Sequence, residues 1–315
     1  MDALALRLAN QAQEHGWIEA GQRILVSLSG GADSTALACI LSEWKPKFQL
    51  ELLLVHFNHH LRAESEDEAA FCQKLANQLG LPLEIFAPEA PLGGAGIQAA
   101  SRAWRRQTLL DRASSWGAHR IALGHQIQDQ AETLLWRMLR GTSLIGLKGM
   151  RPLEIPWFRP LLELSRADLI DYLGRREQAW MEDPSNARND YQRNRIRNQL
   201  LPLLDELSGT QSAGKLAKLA REAQDLEAHF LDLCEEAAWS SAALSYDQIS
   251  DLKPLFAMEL LHRFLLDKGV REIGRHQLED VLRLVLSGKG GWQVNLKDGL
   301  AIEGKGRLLR VGVAG

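Results

Sequence analysis

Short apolar runs and longer amphipathic stretches take turns over the first half of this chain. Arg23–Leu28 is a compact apolar run closed by Ser29-Gly30-Gly31, which predicts a buried strand. The pattern turns helical from Ser34 to Leu41, and Leu50–His56 predicts a second strand. Ser65–Leu79 carries acids in its first turn and Gly80-Leu81-Pro82 behind it, the marks of a helix with a defined stop. Leu83–Phe86 predicts a third strand, residues 89–96 a flexible loop, and Ile97–Trp116 a long helix studded with arginine. A fourth strand over Arg120–Gly124 and a helix over Asp129–Arg140 follow. Strands separated by helices of this length imply βαβ units in a parallel sheet, which binds ligands at the carboxyl ends of its strands.

Beyond Gly141 the alternation stops. Ser165-Arg-Ala-Asp168 opens a helix with a near capping box, Asp standing where Glu or Gln is usual, and Tyr191–Leu204 predicts another. The small polar run Ser208–Gly214 reads as a linker. Helices near 215–238, 254–268 and 274–287 come after it, then a hairpin of Gln293–Leu296 and Leu300–Glu303, and a strand over Arg307–Val313. The expected division is a domain over 1–208, with a core at about 20–150 and a helical extension at 151–208, and a mostly helical domain over 209–315.

Composition narrows the class. Apolar residues at 45% and charged residues at 24% exclude a disordered chain, collagen and a simple coiled coil. No apolar run approaches the roughly 20 residues of a membrane span. The opening MDALALRLANQAQEHGW has an acid at position 2 and helical periodicity, unlike a signal or transit peptide. Cys39, Cys72 and Cys234 lie far apart and form no framework, which points to a reducing cytoplasm. Nine tryptophans stand against three tyrosines; Trp104, Trp116 and Trp136 fall at helical positions and read as core. The net charge of −3 argues against a nucleic-acid partner until it is divided. Residues 102–197 carry +6, almost all of it from arginine, and the remainder −9. Arginine's planar fork suits phosphates and base edges.

The sharpest local feature is Ser29-Gly30-Gly31-Ala32-Asp33-Ser34 behind the first strand. Two glycines let a ligand approach the backbone, and the helix that follows turns free N–H groups outward, making an anion cradle. It is no Walker A loop, because no lysine is present. Bare phosphate would repel Asp33, so a Mg²⁺ between them is expected, with Asp33 as its ligand. The structural alternative has Asp33 and Ser34 merely capping the helix.

These residues resemble the PP-loop ATP pyrophosphatases, enzymes that split ATP into AMP and pyrophosphate while adenylating an oxygen. Three more stretches are similar to the tRNA(Ile)-lysidine synthetase family: Val55-His-Phe-Asn58-His59-His60-Leu61-Arg62 with Ser65-Glu-Asp-Glu68; Gly124-His125-Gln-Ile-Gln128-Asp129-Gln-Ala-Glu132-Thr133 with Arg137-Met-Leu-Arg140-Gly141; and Arg159-Pro-Leu-Leu162, Ser165-Arg166, Glu182–Asn186 and Tyr191 with Arg193-Asn-Arg195-Ile-Arg197. They run in order from Ile24 to Leu204. Departures are Gln128, where the first of two aspartates is usual, and Asn58 and His60, where Asp and Gly are common.

The resemblance implies an α/β PP-loop catalytic domain followed by a tRNA-recognition domain. It implies that ATP activates O2 of the wobble cytidine in an isoleucine tRNA with a CAU anticodon, and that free L-lysine then displaces AMP to give lysidine. ATP and Mg²⁺ are the implied cofactors, a homodimer the implied assembly. Ser29, Gly30, Gly31, Ala32, Asp33, Ser34 and His125 would line the ATP site, while Asp129 and Glu132, spaced i,i+3 on one helix face, would grip lysine. Arg62, Arg102, Arg105, Arg137, Arg140, Arg193, Arg195 and Arg197 are candidate RNA contacts. Alternatives are a PP-loop tRNA sulfur transferase, a small-molecule amide synthetase, or a non-catalytic nucleotide- or RNA-binding scaffold.

Overall fold

A computed structural model describes residues 1–58, 64–88, 97–182, 192–236, 243–270, 273–296 and 299–313. The expected loop at 89–96 and the candidates His59, His60 and Arg62 lie outside them. Two compact units emerge: Met1–Gly141 with Gly146–Glu222, and Thr142–Ile145 with Ala223–Gly315.

The first unit runs α1 (Ala3–Glu14), β1 (Arg23–Ser27), α2 (Ala32–Phe48), β2 (Glu51–Phe57), α3 (Glu64–Leu79), β3 (Leu83–Phe86), α4 (Ile97–Trp116), β4 (Arg120–Ala122) and α5 (Ile127–Leu139). Two short strands, β5 (Leu153–Glu154) and β6 (Trp157–Phe158), precede α6 (Arg166–Arg175). The expected helix over Tyr191–Leu204 is broken into α7 (Gln192–Arg195), a π-helical turn over Ile196–Leu200, and α8 (Leu201–Ser208). Such turns frequently mark functional sites.

The sheet order is β3-β2-β1-β4-β6-β5, parallel except for the β5–β6 pair. Its central strands are buried on both faces, as a parallel sheet between helices requires. Ile24, Val26, Leu52 and Leu54 pack with α1, α2 and α6, while Leu25, Leu53, Val55 and Phe57 pack with Leu109 and Ala113 of α4. Helix α2 is buried at every position from Ser34 to Leu41, so the loop that starts it rests on a rigid base.

The run Ser208–Gly214 is not a linker. Helix α8 continues through Ser208, Gly209 ends it in the left-handed conformation, and α9 (Ser212–Glu236) starts at Ser212. The Asp205 carboxylate accepts the Ser212 N–H at 2.6 Å, so these small polar residues terminate and start helices. The two units divide inside α9, after Glu222, later than the boundary expected at Ser208.

The second unit adds β7 (Leu244–Ser245), α10 (Tyr246–Ser250), α11 (Pro254–Asp267), α12 (Arg275–Leu286), β8 (Trp292–Asn295), β9 (Leu300–Lys305) and β10 (Leu308–Val313). The expected hairpin is present as β8–β9, within a four-stranded antiparallel sheet of order β7-β10-β9-β8. Phe230, Tyr246, Leu261, Phe264, Val281, Ile302 and Leu309 form its core. No helix among the described residues is long and apolar enough to cross a membrane.

Candidate active site

In the first sheet β2 and β3 extend from one side of β1, while β4 and β6 extend from the other. The strand order reverses between β1 and β4, and the crevice beyond their carboxyl ends is where such sheets bind ligands. Ser29–Ser34 follows β1, and Gly124–Asp129 follows β4.

The first of these loops is closed by its own hydroxyls. Ser34 Oγ accepts the Ser29 N–H at 3.1 Å, lies 3.0 Å from Ser29 Oγ, and donates to Gly31 O at 3.1 Å. Thr35 Oγ1 donates to Gly30 O at 3.1 Å, and the Met181 N–H reaches the same carbonyl at 2.9 Å. Gly30 has φ +87°, and a Cβ there would meet Phe71, Met181 and Cys72 at 3.4–3.6 Å. Those contacts are ordinary, so it is the positive φ that calls for glycine. Gly31 is the N-cap of α2 and no side chain caps it, so Asp33 and Ser34 do not serve as the caps a purely structural loop would use. The first N–H groups of α2 remain available to an anion.

Asp33 faces the second loop. Gly124 approaches so closely that a Cβ there would lie 3.1 Å from the Asp33 carbonyl and the Ser34 nitrogen. Burial, with the Asp129 charge adding to it, lifts the Asp33 carboxyl to about 6, against the pull of Arg166, Arg197 and Gln126. Asp33 Oδ1 is buried without a hydrogen-bond partner. A buried carboxylate oxygen without a donor, near a second carboxylate and an open helix N-terminus, fits a hard divalent cation bridging to phosphate. Among the described residues no cluster of three or more His, Cys, Asp or Glu could hold a metal by itself.

Asp129 is fixed by its helix. Gln126 caps α5, its side chain accepting the Gln128 N–H at 2.8 Å, and Asp129 Oδ2 accepts the Gln126 N–H at 3.0 Å. The other oxygen, Oδ1, meets Arg197 Nη2 at 3.1 Å and Arg193 Nη2 at 3.4 Å. Glu132, 0% exposed, accepts from Arg193 Nε at 2.7 Å through one oxygen and from Arg197 Nε through the other. Acids at i,i+3 on α5 thus match arginines at i,i+4 across α7 and the π-turn. Burial draws the Arg197 guanidinium down, but Glu132, Asp129 and Asp33 together hold it above its usual value.

His125 lies within reach of the charges of Arg193 and of Arg102 and Arg105 on α4. Burial and the charges of Arg159, Arg193, Arg102 and Arg105 push its imidazole down to about 3, so it is neutral at any physiological pH. Its Nδ1, the side-chain Oε1 of Gln128 and the Nε of Arg159 are buried without hydrogen-bond partners, as Asp33 Oδ1 is. Unpaired buried polar atoms are rare and costly, and several lie along these two loops and the strand that follows them.

A model of the PP-loop domain matches residues 3–204. A tRNA(Ile)-lysidine synthase of Geobacter sulfurreducens is 37% identical, with 75% of this chain and 51% of that protein covered. The synthase of Parasynechococcus marenigrum is 33% identical, covering 86% of this chain and 83% of that protein. For Thermosynechococcus vestitus the figures are 30%, 97% and 90%. The chain belongs to the tRNA(Ile)-lysidine synthase family. It spans about half the length of the Geobacter relative and nearly the whole of the Thermosynechococcus one. A solved U34-tRNA thiolase of Methanococcus maripaludis shares the fold, with a TM-score of 0.59 at 16% identity over 71% of this chain and 79% of that one.

Within this lysidine synthase relative, the sequence candidates separate into groups. Ser29–Ser34, Asp33, His125, Asp129 and Glu132 converge at the switch point, together with Arg193 and Arg197. Arg102 and Arg105 are exposed on α4, and their charges bear on His125. Arg195 is exposed on the other side of α7, with Nε 3.4 Å from Gln199 Oε1. Arg137 and Arg140 occupy the far end of α5, where Arg137 Nη1 donates to Gly146 O at 2.8 Å. Arg159 and Arg166 stand in the third family-like block without an expected role. Arg159 is 6% exposed and bears on His125, and Arg166 bears on Asp33. The signal available was their place in an arginine-rich block beyond the βαβ units. Trp136 is 36% exposed, not core, whereas Trp104 and Trp116 pack partly buried against the cluster that holds Trp157.

Proposed function

We propose that this chain ligates free L-lysine to C2 of the wobble cytidine of a CAU-anticodon tRNA(Ile), forming lysidine and releasing AMP and pyrophosphate. The observation that carries the reading is the meeting, at one switch point, of a helix N-terminus without a side-chain cap, an Asp33 whose Oδ1 has no hydrogen-bond partner, and the Asp129–Glu132 lattice. Family membership supports it.

In the first step cytidine O2 attacks the α-phosphorus of ATP and pyrophosphate leaves. The N–H groups of Ala32–Ser34 hold phosphate oxygens as their charge grows, and neutral His125 packs beside the nucleotide without adding repulsive charge. Mg²⁺, when bound at Asp33, supplies positive charge to those oxygens. In the second step the lysine ε-nitrogen attacks C2, and AMP departs with O2. That nitrogen must be neutral to attack, so its ammonium passes one proton to solvent water, and Asp129 is the carboxylate we assign to holding the amine at the site. Glu132 has no exposed surface, so it acts through Arg193 and Arg197 as a positioning residue. Arg102 and Arg105 offer cations to the RNA backbone, and the 223–315 unit serves as the tRNA-recognition module. A cytoplasmic location and a homodimer belong to the same reading.

Sulfur transfer is the rival within the fold. Burial pushes the Cys39 and Cys72 thiols up to about 11 and about 12, leaving neither as a thiolate at neutral pH. The two readings part in a release assay. With ATP·Mg, a CAU tRNA and lysine, AMP accumulates in proportion to tRNA, and omitting the tRNA returns it to background. Release that needs a sulfur donor and ignores lysine would overturn the proposal.

A further inference from the structure

The acids of the site are not alone on their helix face. On α5, Trp136 and Arg140 follow Glu132 at intervals of four, so Asp129, Glu132, Trp136 and Arg140 form one stripe. At 1.5 Å rise per residue Trp136 lies about 10 Å along the axis from Asp129. Trp136 is 36% exposed, and the Arg140 guanidinium lies 4.5 Å from the centre of its ring. Leu139, three residues beyond Trp136 and 61% exposed, continues the apolar surface at the helix end. A cation near a helix C-terminus is favourable by itself, but that requires only charge, not a guanidinium laid against an indole.

We propose that Trp136 and Arg140 form a stacking platform for an unpaired nucleobase of the tRNA anticodon loop, next to the cytidine being modified. This rests on the tRNA reading above. The occupant follows from the chemistry of the patch. Single-stranded RNA is held by aromatic and guanidinium planes that take the base and by cations that take the backbone, and this patch offers an indole, a guanidinium and Arg137 beside them. A purely apolar partner would leave Arg140 to be desolvated without compensation. The platform lies close to the reacting centre along the same helix face, as a neighbouring nucleotide would need.

The test uses an anticodon stem–loop RNA with a CAU triplet, and the same RNA with an abasic site beside the cytidine. Base–aromatic stacking contributes about 1–3 kcal/mol, so Trp136→Ala weakens stem–loop binding by about 5- to 150-fold, and Trp136→Phe restores most of it. Arg140→Gln, which leaves the ring in place, weakens binding less. The abasic RNA loses affinity for the unaltered protein and loses little more for Trp136→Ala, since both remove one contact. Undiminished binding by Trp136→Ala and Arg140→Gln overturns the platform. If those variants instead convert a dimer to a monomer with RNA affinity intact, the surface is an interface between copies. Stem–loop binding is read without catalysis, so failure of lysine transfer in the unaltered protein would count against the proposed function and not against this surface.

Discussion

Asp33→Asn is expected to cut tRNA-dependent AMP release by on the order of 100-fold or more, while making the ligand-free protein more stable above pH 6. Both effects come from one carboxylate. Burial and Asp129 raise its value from 3.8 to about 6, so folding favours its neutral form. The sign follows: this stabilisation is complete below about 4 and is lost as pH rises through about 6. Asparagine never ionises, and about 1–3 kcal/mol of the penalty should be recovered at pH 8 and almost none at pH 4. Thermal melts of the two proteins at both pH values measure this independently of turnover. A lower melting temperature for Asp33→Asn at pH 8 would mean the carboxylate has a structural partner in the fold. Activity should move oppositely, rising as pH passes upward through about 6.

Glu132→Gln should be the most damaging single change in the lattice. It takes a fully buried acid from beneath two arginines and leaves them to Asp129 alone. Removing one member of a buried pair costs about 3–5 kcal/mol; the arginines here are partly exposed, so about 2–4 kcal/mol is expected. Arg197→Met should cost less, because Arg193 still neutralises Glu132. The double variant should cost clearly less than the two single changes added together, since they share one interaction. Catalytic data separate positioning from mere stability. In Glu132→Gln assayed well below its melting temperature, KM for lysine should rise by about tenfold or more, with KM for ATP unchanged. Equal shifts in both would return the lattice to a purely structural role.

Local signals and distant ones were not equally legible. β1 to β4, α3 and α4 were readable because each is a local apolar pattern, most of them closed by a nearby glycine or proline. The PP-loop signature was readable because the turn needs those residues at that spacing. β6 was hidden because Trp157-Phe158 is a two-residue strand between prolines, too short for any period. Ser208–Gly214 misled because serine and glycine serve helix ends as well as linkers, and the Asp205–Ser212 bond that decides between them is not local. The pairing of Asp129 and Glu132 with Arg193 and Arg197 joins segments more than sixty residues apart. Its trace was the matching of i,i+3 acids to i,i+4 arginines, which means nothing until the helices face each other. Trp136 read as core because its helical period is that of a buried stripe, and the exposure of the end of α5 is a property of the tertiary fold.

The central claim is that lysine becomes covalently attached to one cytidine. Incubating the protein with isotopically labelled L-lysine, ATP·Mg and a CAU-anticodon tRNA(Ile), then digesting the RNA to nucleosides and weighing them, tests it most directly. The account predicts one labelled nucleoside, heavier than cytidine by lysine less one water, replacing the wobble cytidine and absent when that base is uridine. Label that never enters the RNA, or a wobble base that gains sulfur in its place, would contradict it.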